Sequence, residues 1–451
     1  FPTENAYDAQ LAPRCVECGE TSDVFISKLD ASGMHLVYST YIGGESNDSA
    51  TGIAVGADGT AYLTGTTTSP DFPLVNAINA ANETTNGFVA RLNAAGNVLV
   101  YSTYLSGSGD DEPAGIAVDA SGIYVAGSTR SSDLGQNGGN GQQPANAYDA
   151  FVAKLTPTGS EVTWVKYLGG SSEDVATGIA SDGSGNAYIS GYTTSGSSFP
   201  QTAAPLKPAC QEQARDAFVA KVNATGRVYA TCLGGAGEDR AMAIAVDASG
   251  SAYVAGYTTS SDFAPAPIRP FGGVGDAFVA KLTPAGTALE YSTVIGGSDD
   301  DGASAIAIDS ARTAWITGFT ASADFPSVVP IQAAFAGGGE HPYDAFVSRI
   351  DATGTQIVFS SFYGGAIDYD DGAALAVNGS RVHLGGNTFS TDLPFVNGRQ
   401  QANAGHQDGF VATLGVPPLL IAPTNVSLFV GEPQQFTAAG GAGLGYAFSL
   451  Q

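Results

Sequence analysis

The stretch Asp149-Ala150-Phe151-Val152-Ala153-Lys154-Leu155 decides the fold, because it does not occur only once. With small changes it returns with its Phe at positions 25, 88, 151, 218, 278, 346 and 410, at spacings of 60 to 68 residues. A period of that size, made of short alternating apolar segments with Gly and Asp turns between them, belongs to a β-propeller or β-solenoid, not to a string of independent domains. Phe, Ala and Leu fall on one face of the extended strand, Val and a base on the other. Lys28, Arg91, Lys154, Lys221, Lys281 and Arg349 hold the basic position.

Three more strands complete each unit. One reads Tyr38-Ser39-Thr40-Tyr41-Ile42-Gly43-Gly44 and ends in a glycine turn, where positive φ is expected. The next, typified by Gly52-Ile53-Ala54-Val55, carries only Gly or Ala before its Ile or Leu (Gly52, Gly115, Gly178, Ala243, Ala305, Ala374) and Ala after it. Small residues in every copy predict a strand packed where several sheets converge, as at a propeller axis. The last, of the form Ala-Tyr-Val-x-Gly, follows a tight Asp/Gly turn such as Asp119-Ala120-Ser121-Gly122 and makes a hairpin with the small-residue strand.

Composition agrees with an all-β chain. Of 451 residues, 60 are Gly and 22 Pro, and 13% are charged, too few charges for disorder and too many turn residues for helices. Lys+Arg 17 against Asp+Glu 43 gives a net charge of −26, which repels nucleic acid and anionic lipid. No apolar run is long enough to span a bilayer, so direct membrane insertion is not expected, and Phe1-Pro2-Thr3-Glu4-Asn5 has no signal-peptide character.

The strings Tyr-Ser-Thr-Tyr-Ile-Gly-Gly, Gly-Ile-Ala-Val-Asp, Ala-Tyr-Val-Ala-Gly-Tyr-Thr-Thr-Ser and Asp-Phe-Pro followed by Asp-Ala-Phe-Val-Ala-Lys-Leu resemble the bacterial seven-bladed β-propeller repeat, the SBBP repeat. The resemblance spans residues 1–415 and implies a propeller of four-stranded blades in a secreted or surface protein of bacteria. It implies no enzymatic activity. Seven Asp-x-Phe-type strands and the family point to seven blades, with six as the alternative count, since the chain starts in mid-blade. Residues 416–451, with Asn425-Val426-Ser427-Leu428-Phe429-Val430-Gly431, resemble the first strands of a bacterial immunoglobulin-like sandwich, or a strand-donating tail. That sandwich needs about 100 residues, so this module is expected to be partial.

Acidic residues sort into repeat columns. Asp23, Asp149, Asp216, Asp276, Asp344 and Asp408 stand two before the Phe; Asp48, Asp111, Asp174, Asp239, Asp301 and Asp370 stand before the small-residue strand. Asp119, Asp182, Asp247 and Asp309 sit in the hairpin turn, and Asp71, Asp133, Asp262, Asp324 and Asp392 in the following loop. A residue present in every blade serves the blade, by accepting backbone N–H bonds in turns or pairing with the recurrent base of the neighbouring sheet. Asp299, Asp300 and Asp301, and Asp368, Asp370 and Asp371, exceed the columns. Clustered carboxylates on turns suit calcium, although neither run fits the twelve-residue calcium loop and a solvated acidic rim is the plainer reading. No other cofactor is called for.

Cys15 with Cys18, and Cys210 with Cys232, read as local disulfides in an oxidising compartment, with a reduced buried Cys232 as the alternative. Zinc lacks a second pair at ligand spacing, and c-type haem lacks its His. His35, His341 and His406 lie in loops or turns, and His383 occupies a column otherwise filled by Tyr or Trp. No nucleophile elbow, zinc-protease helix or phosphate loop occurs.

These readings lead to an extracellular or cell-surface structural and interaction protein without catalytic activity. Its partners would be copies of itself, joined head-to-tail into fibres by strand complementation, or other surface proteins. The alternative is a carbohydrate-binding adhesin that holds a glycan in its variable loops or acidic rim, with or without calcium. A lyase or glycosidase would need two non-column acids converging in one cleft.

Overall fold

The computed structural model describes residues 1–11, 21–80, 85–136, 147–202, 204–207, 209–264, 267–339, 342–379, 381–396, 398–400, 403, 407–415, 420–422 and 437–439. It is all-β, with a single turn of 3-10 helix at Leu134–Gln136 and another at Gly196–Ser198. The chain forms two compact units, one of Phe1–Phe263, Val279–Glu290 and Phe395–Gln401, the other of Ala264–Phe278, Tyr291–Pro394 and Ala402–Gln451.

In the first unit, β1 (Val24–Leu29) pairs with β2 (Leu36–Ile42). Three four-stranded antiparallel sheets follow: β3 (Asp48–Val55), β4 (Ala61–Thr67), β5 (Asn86–Leu92), β6 (Leu99–Leu105); β7 (Asp111–Asp119), β8 (Gly122–Thr129), β9 (Asp149–Leu155), β10 (Val162–Leu168); and β11 (Asp174–Ser181), β12 (Ala187–Ser195), β13 (Glu212–Asn223), β14 (Gly226–Leu233). A fourth sheet has the same order, β15 (Asp239–Val246), β16 (Ala252–Thr258), β17 (Asp276–Leu282), β18 (Leu289–Ile295). The second unit holds β19 (Asp301–Ile308), β20 (Ala314–Thr320), β21 (Asp344–Ile350) and β22 (Ile357–Tyr363), then the three-stranded sheet β23 (Asp370–Asn378), β24 (Arg381–Thr388), β25 (Asp408–Gly415). Among the described residues this is a propeller of six blades, the lower of the two counts the repeat allows.

Small residues select the innermost strand as the sequence predicts. A Cβ on Gly52 would lie 3.1 Å from Cα of Gly115, and one on Gly178 would lie 3.2 Å from Cα of Ala243, so β3 approaches β7 and β11 approaches β15 at backbone distance. Hydroxyls tie the same strands together: Thr51 Oγ1 donates to the Pro113 carbonyl at 2.7 Å, and Thr177 Oγ1 to that of Ala241 at 2.6 Å. Every innermost hairpin carries a β-bulge at one place, between Ala50 and Gly52, Pro113 and Gly115, Ala176 and Gly178, Ala241 and Ala243, Ala303 and Ala305, and Gly372 and Ala374. The bulge bends the strand where blades converge.

The repeated Phe fills the blade core: Phe88, Phe151, Phe218, Phe278 and Phe346 are fully buried. Antiparallel register sets the basic residue beside the aromatic of the preceding strand, Tyr62 opposite Arg91, Tyr124 opposite Lys154, Tyr188 opposite Lys221 and Trp315 opposite Arg349. Each cation then lies 4.7 to 5.2 Å from a ring centre. The hairpin aspartates reach these cations too, Asp58 with Arg91 at 2.9 Å and Asp309 with Arg349 at 2.8 Å. The pairing runs within one sheet, not to the neighbouring sheet as expected, because the hairpin turn and the third strand lie side by side in the same blade.

Beyond residue 415, only β26 (Leu420–Ala422) and β27 (Thr437–Ala439) are described, as an antiparallel pair. The rest of the immunoglobulin-like stretch lies outside the described residues.

Candidate functional site

Two aspartate columns and a serine column meet where one blade ends and the next begins. The outer strand ends in Gly-Gly, and the second glycine's N–H donates to the Asp opening the next innermost strand: Gly44 to Asp48 at 2.8 Å, Gly170 to Asp174 at 2.7 Å, Gly297 to Asp301 at 2.7 Å, Gly365 to Asp370 at 2.8 Å. A Ser hydroxyl from the following strand's end donates to the same oxygen, Ser69 to Asp48, Ser195 to Asp174, Ser322 to Asp301 and Ser390 to Asp370, at 2.7 to 2.8 Å. The loop aspartates accept the next N–H, Asp71 from Glu45 and Asp324 from Ser298, both at 2.8 Å. The sequence reading assigned the aspartates to turns and missed the serines, although Ser69, Ser131, Ser195, Ser260, Ser322 and Ser390 recur as regularly.

The first glycine of each pair faces a second carboxylate. At Gly169 a Cβ would sit 2.2 Å from Oδ1 of Asp149 and 2.9 Å from Oδ2 of Asp174. Gly43 faces Asp23 and Asp48, Gly234 faces Asp216 and Asp239, and Gly296 faces Asp276 and Asp301 in the same way. Burial, and then the neighbouring carboxylate, push Asp149 up to about 7. Asp276 and Asp344 are also pushed up to about 7 by burial, and Asp111, Asp239 and Asp301 to about 6.

The predicted calcium residues divide between roles. Asp301 and Asp370 belong to the junction column, fully buried. Asp299 donates its N–H to Ser322 Oγ at 2.8 Å, and Asp300 accepts Ala321 N–H on its carbonyl at 2.9 Å. Asp371 accepts both Asn387 N–H and Nδ2–H on Oδ1 and the Tyr369 hydroxyl on Oδ2, while Asp368 has φ 56. Among the described residues neither run gathers three carboxylates at ligand distance; the one group of three metal-ligating side chains is Cys210, Asp216 and Cys232.

Its sulfurs are joined: Cys210 and Cys232 form a disulfide with Cα atoms 5.7 Å apart, stapling the β12–β13 connection to β14. Replacing both by Ser is expected to cost about 3 kcal/mol for a separation of this size, read as a lower guanidinium midpoint than the oxidised parent. A midpoint equal to the parent's would show that the staple contributes nothing. Cys15, Cys18, His341 and His406 lie outside the described residues. His383 pairs with Thr413 across strands through Nδ1 at 3.0 Å, and His35 with Asp30 at 3.0 Å.

Comparison with known proteins places these features. The chain is 26% identical over 318 residues to the regulatory protein FlaEY of Caulobacter vibrioides, a match covering 66% of this chain and 32% of that protein, so the chain spans about a third of its relative's length. In structure it is similar to a gluconolactonase of Xanthomonas campestris, with TM-score 0.31 and 14% identity over 62% of this chain and 71% of the other. That neighbour is named a gluconolactonase, and the expectation that this chain has no catalytic activity is withdrawn, since missing sequence motifs do not set catalysis aside for a propeller. The family description "Beta-propeller repeat" (SBBP) matches residues 100–135, 163–200 and 228–264. The chain therefore carries SBBP β-propeller repeats at these three places, and its described residues form a propeller of six blades.

Proposed function

We propose that the chain is an interaction scaffold working outside the cell or at its surface, which presents variable inter-strand loops from rigid blades. The observation that carries this is Val329. It is a β-branched residue with φ 48, a conformation that costs roughly 1–2 kcal/mol. The equivalent loops put asparagine there, Asn5 with φ 44 and Asn76 with φ 51, each bonding a strand carbonyl through Nδ2. Val329 is 56% exposed and Ile331 60%, so a strained position holds two apolar side chains out to solvent. Strain kept where it does not help folding points to contact with a partner.

Constant anchors under unlike loops support the reading. Thr103 Oγ1 accepts the N–H of Ile78, Thr231 that of Leu206, Thr293 that of Ile268 and Ser361 that of Ile331. The disulfide supports an oxidising compartment, and the relative named a regulatory protein is compatible with action through binding.

Val329→Asn tests this. It is expected to raise stability by about 1 kcal/mol and to lower retention of the labelled chain on cells of the producing bacterium at least tenfold. Protease treatment of the cells abolishes retention for a protein partner, and periodate treatment abolishes it for the adhesin alternative. Equal retention of parent and variant overturns the reading.

Head-to-tail self-association is a second reading, favoured by Val411. It is 62% exposed on β25, whereas Val152 and Val347 in the same position are 1% exposed. Light scattering that stays monomeric across concentrations, for parent and Val411→Lys alike, removes it.

A further inference from the structure

We propose that the junction of Asp149 and Asp174 is a divalent cation site, taking a hard ion of the calcium type. The inference is independent of the scaffold reading, and four observations converge on it.

The first is an unpartnered carboxylate. Asp149 is 1% exposed, and neither Oδ1 nor Oδ2 has a hydrogen-bond donor among the described residues. Asp174, fully buried, accepts Gly170 N–H and Ser195 Oγ on Oδ2 and also has the Thr193 hydroxyl beside it, so the unpartnered carboxylate of the pair is Asp149. A buried carboxylate left without a donor costs far more than a paired one.

The second is convergence. Oδ1 of Asp149 and Oδ2 of Asp174 approach the same point beside Gly169, within 2.2 and 2.9 Å of where a Cβ would stand. Glycine there lets the Asp149 carboxylate itself close on the backbone, at a point a side chain would otherwise occupy.

The third comes from the next junction, where the chain supplies its own cation. Lys207, from the β12–β13 connection, sets Nζ 3.0 Å from both oxygens of Asp216 and 3.2 Å from the Gly235 carbonyl. Asp216 stands to Asp239 and Gly234 as Asp149 stands to Asp174 and Gly169. The β8–β9 connection that would carry the counterpart of Lys207, residues 131–148, contains no Lys, Arg or His.

The fourth is a coordinated exchange at one junction. Where the others have Asp and Gly, the β5–β6 pair has Asn86 and Ser106. The charge and the glycine disappear together, and Asn79 Nδ2 donates to Ser106 Oγ at 3.2 Å. Glycine is kept where a carboxylate packs on it facing a second one, and is replaced where that residue is neutral.

Carboxylate oxygens from two strands, completed by water, suit calcium, which accepts irregular sets of six to eight oxygens; magnesium demands near-ideal octahedra. The other junctions are better supplied, since Asp276 accepts Gly272 N–H at 2.9 Å and Asp344 accepts Ala336 N–H at 2.7 Å.

The test is equilibrium dialysis of the purified chain against radioactive calcium at pH 7.5 after chelator treatment, with circular dichroism as the check on folding. The parent is expected to bind calcium, Asp149→Asn to bind one equivalent fewer, and Lys207→Gln one equivalent more, at the vacated Asp216 junction. No uptake by the parent at millimolar calcium, or an unchanged count in Asp149→Asn, overturns the site. An unchanged count in Lys207→Gln overturns the equivalence with Asp216 on which it rests.

Discussion

Gly191→Ala is expected to unfold its blade, at a cost of more than about 3 kcal/mol. Gly191 pairs with Ala176 beside the bulge of the innermost hairpin, and a Cβ there would lie 1.9 Å from the Val175 carbonyl oxygen and 2.8 Å from the Phe218 ring. The Val175 carbonyl is fixed in the paired backbone beside Ala176, whose Cα lies 2.9 Å from the same point, and Ala176 and Phe218 are fully buried. The same clash, at 1.9 to 2.1 Å, recurs at Gly65, Gly127, Gly256, Gly318 and Gly386, so each bulge brings its strand across a glycine in the next. Two controls grade the effect. Gly183→Ala meets open space but has φ 70, and is expected to cost about 1 kcal/mol. Gly178→Ala must displace the Ser190 hydroxyl at 2.9 Å and the Ala243 backbone at 3.2 Å, and falls between the two. Denaturant midpoints for the three variants should follow that order; equal midpoints would refute the steric account.

In chelator, thermal stability is expected to peak near pH 4 and to fall toward pH 8, by about 5 °C or more. Burial raises the junction carboxyls, Asp149, Asp276 and Asp344 to about 7 and Asp111, Asp239 and Asp301 to about 6. Between about pH 4 and 7 the folded chain therefore binds more protons than the unfolded chain, and stability declines as pH rises through that window. Above it the loss is complete. A second set has the opposite sign: hydrogen bonds and Arg349 hold Asp309 low, and turn N–H groups and Thr353 hold Asp351 low. Their contribution is present above the unfolded carboxyl value near 4 and is lost as pH falls below it. Asp149→Asn should remove part of the alkaline slope. A melting temperature that climbs steadily from pH 5 to 8 would show that the junction carboxyls are not protonated in the fold.

Strand order and the innermost position were legible because they depend on residue size and on alternation, which repeat in the chain as they do in space. Gly52, Gly115 and Ala243 could be placed at the convergence of sheets before any distance was known. The difference between Asp119 and Asp149 was not legible. Both are column aspartates, but one accepts Ser121 N–H within its own turn at 2.7 Å and the other faces a carboxylate 25 residues away. Lys207 looked like part of an unpatterned loop, since its role is set by the path of that loop, which no period encodes. Val329 escaped notice for the same reason: only its backbone angle distinguishes it from an ordinary surface valine.

The Asn86–Ser106 pair amounts to a natural recipe for alkaline tolerance. It neutralises one of the junction's two carboxyls, leaving Asp111, and replaces the glycine in the same step, using two positions that change as a cassette. Installing Asn and Ser together at 149 and 169 would carry that solution to a neighbouring blade, whereas Ser at 169 alone would drive a side chain into the Asp149 carboxylate.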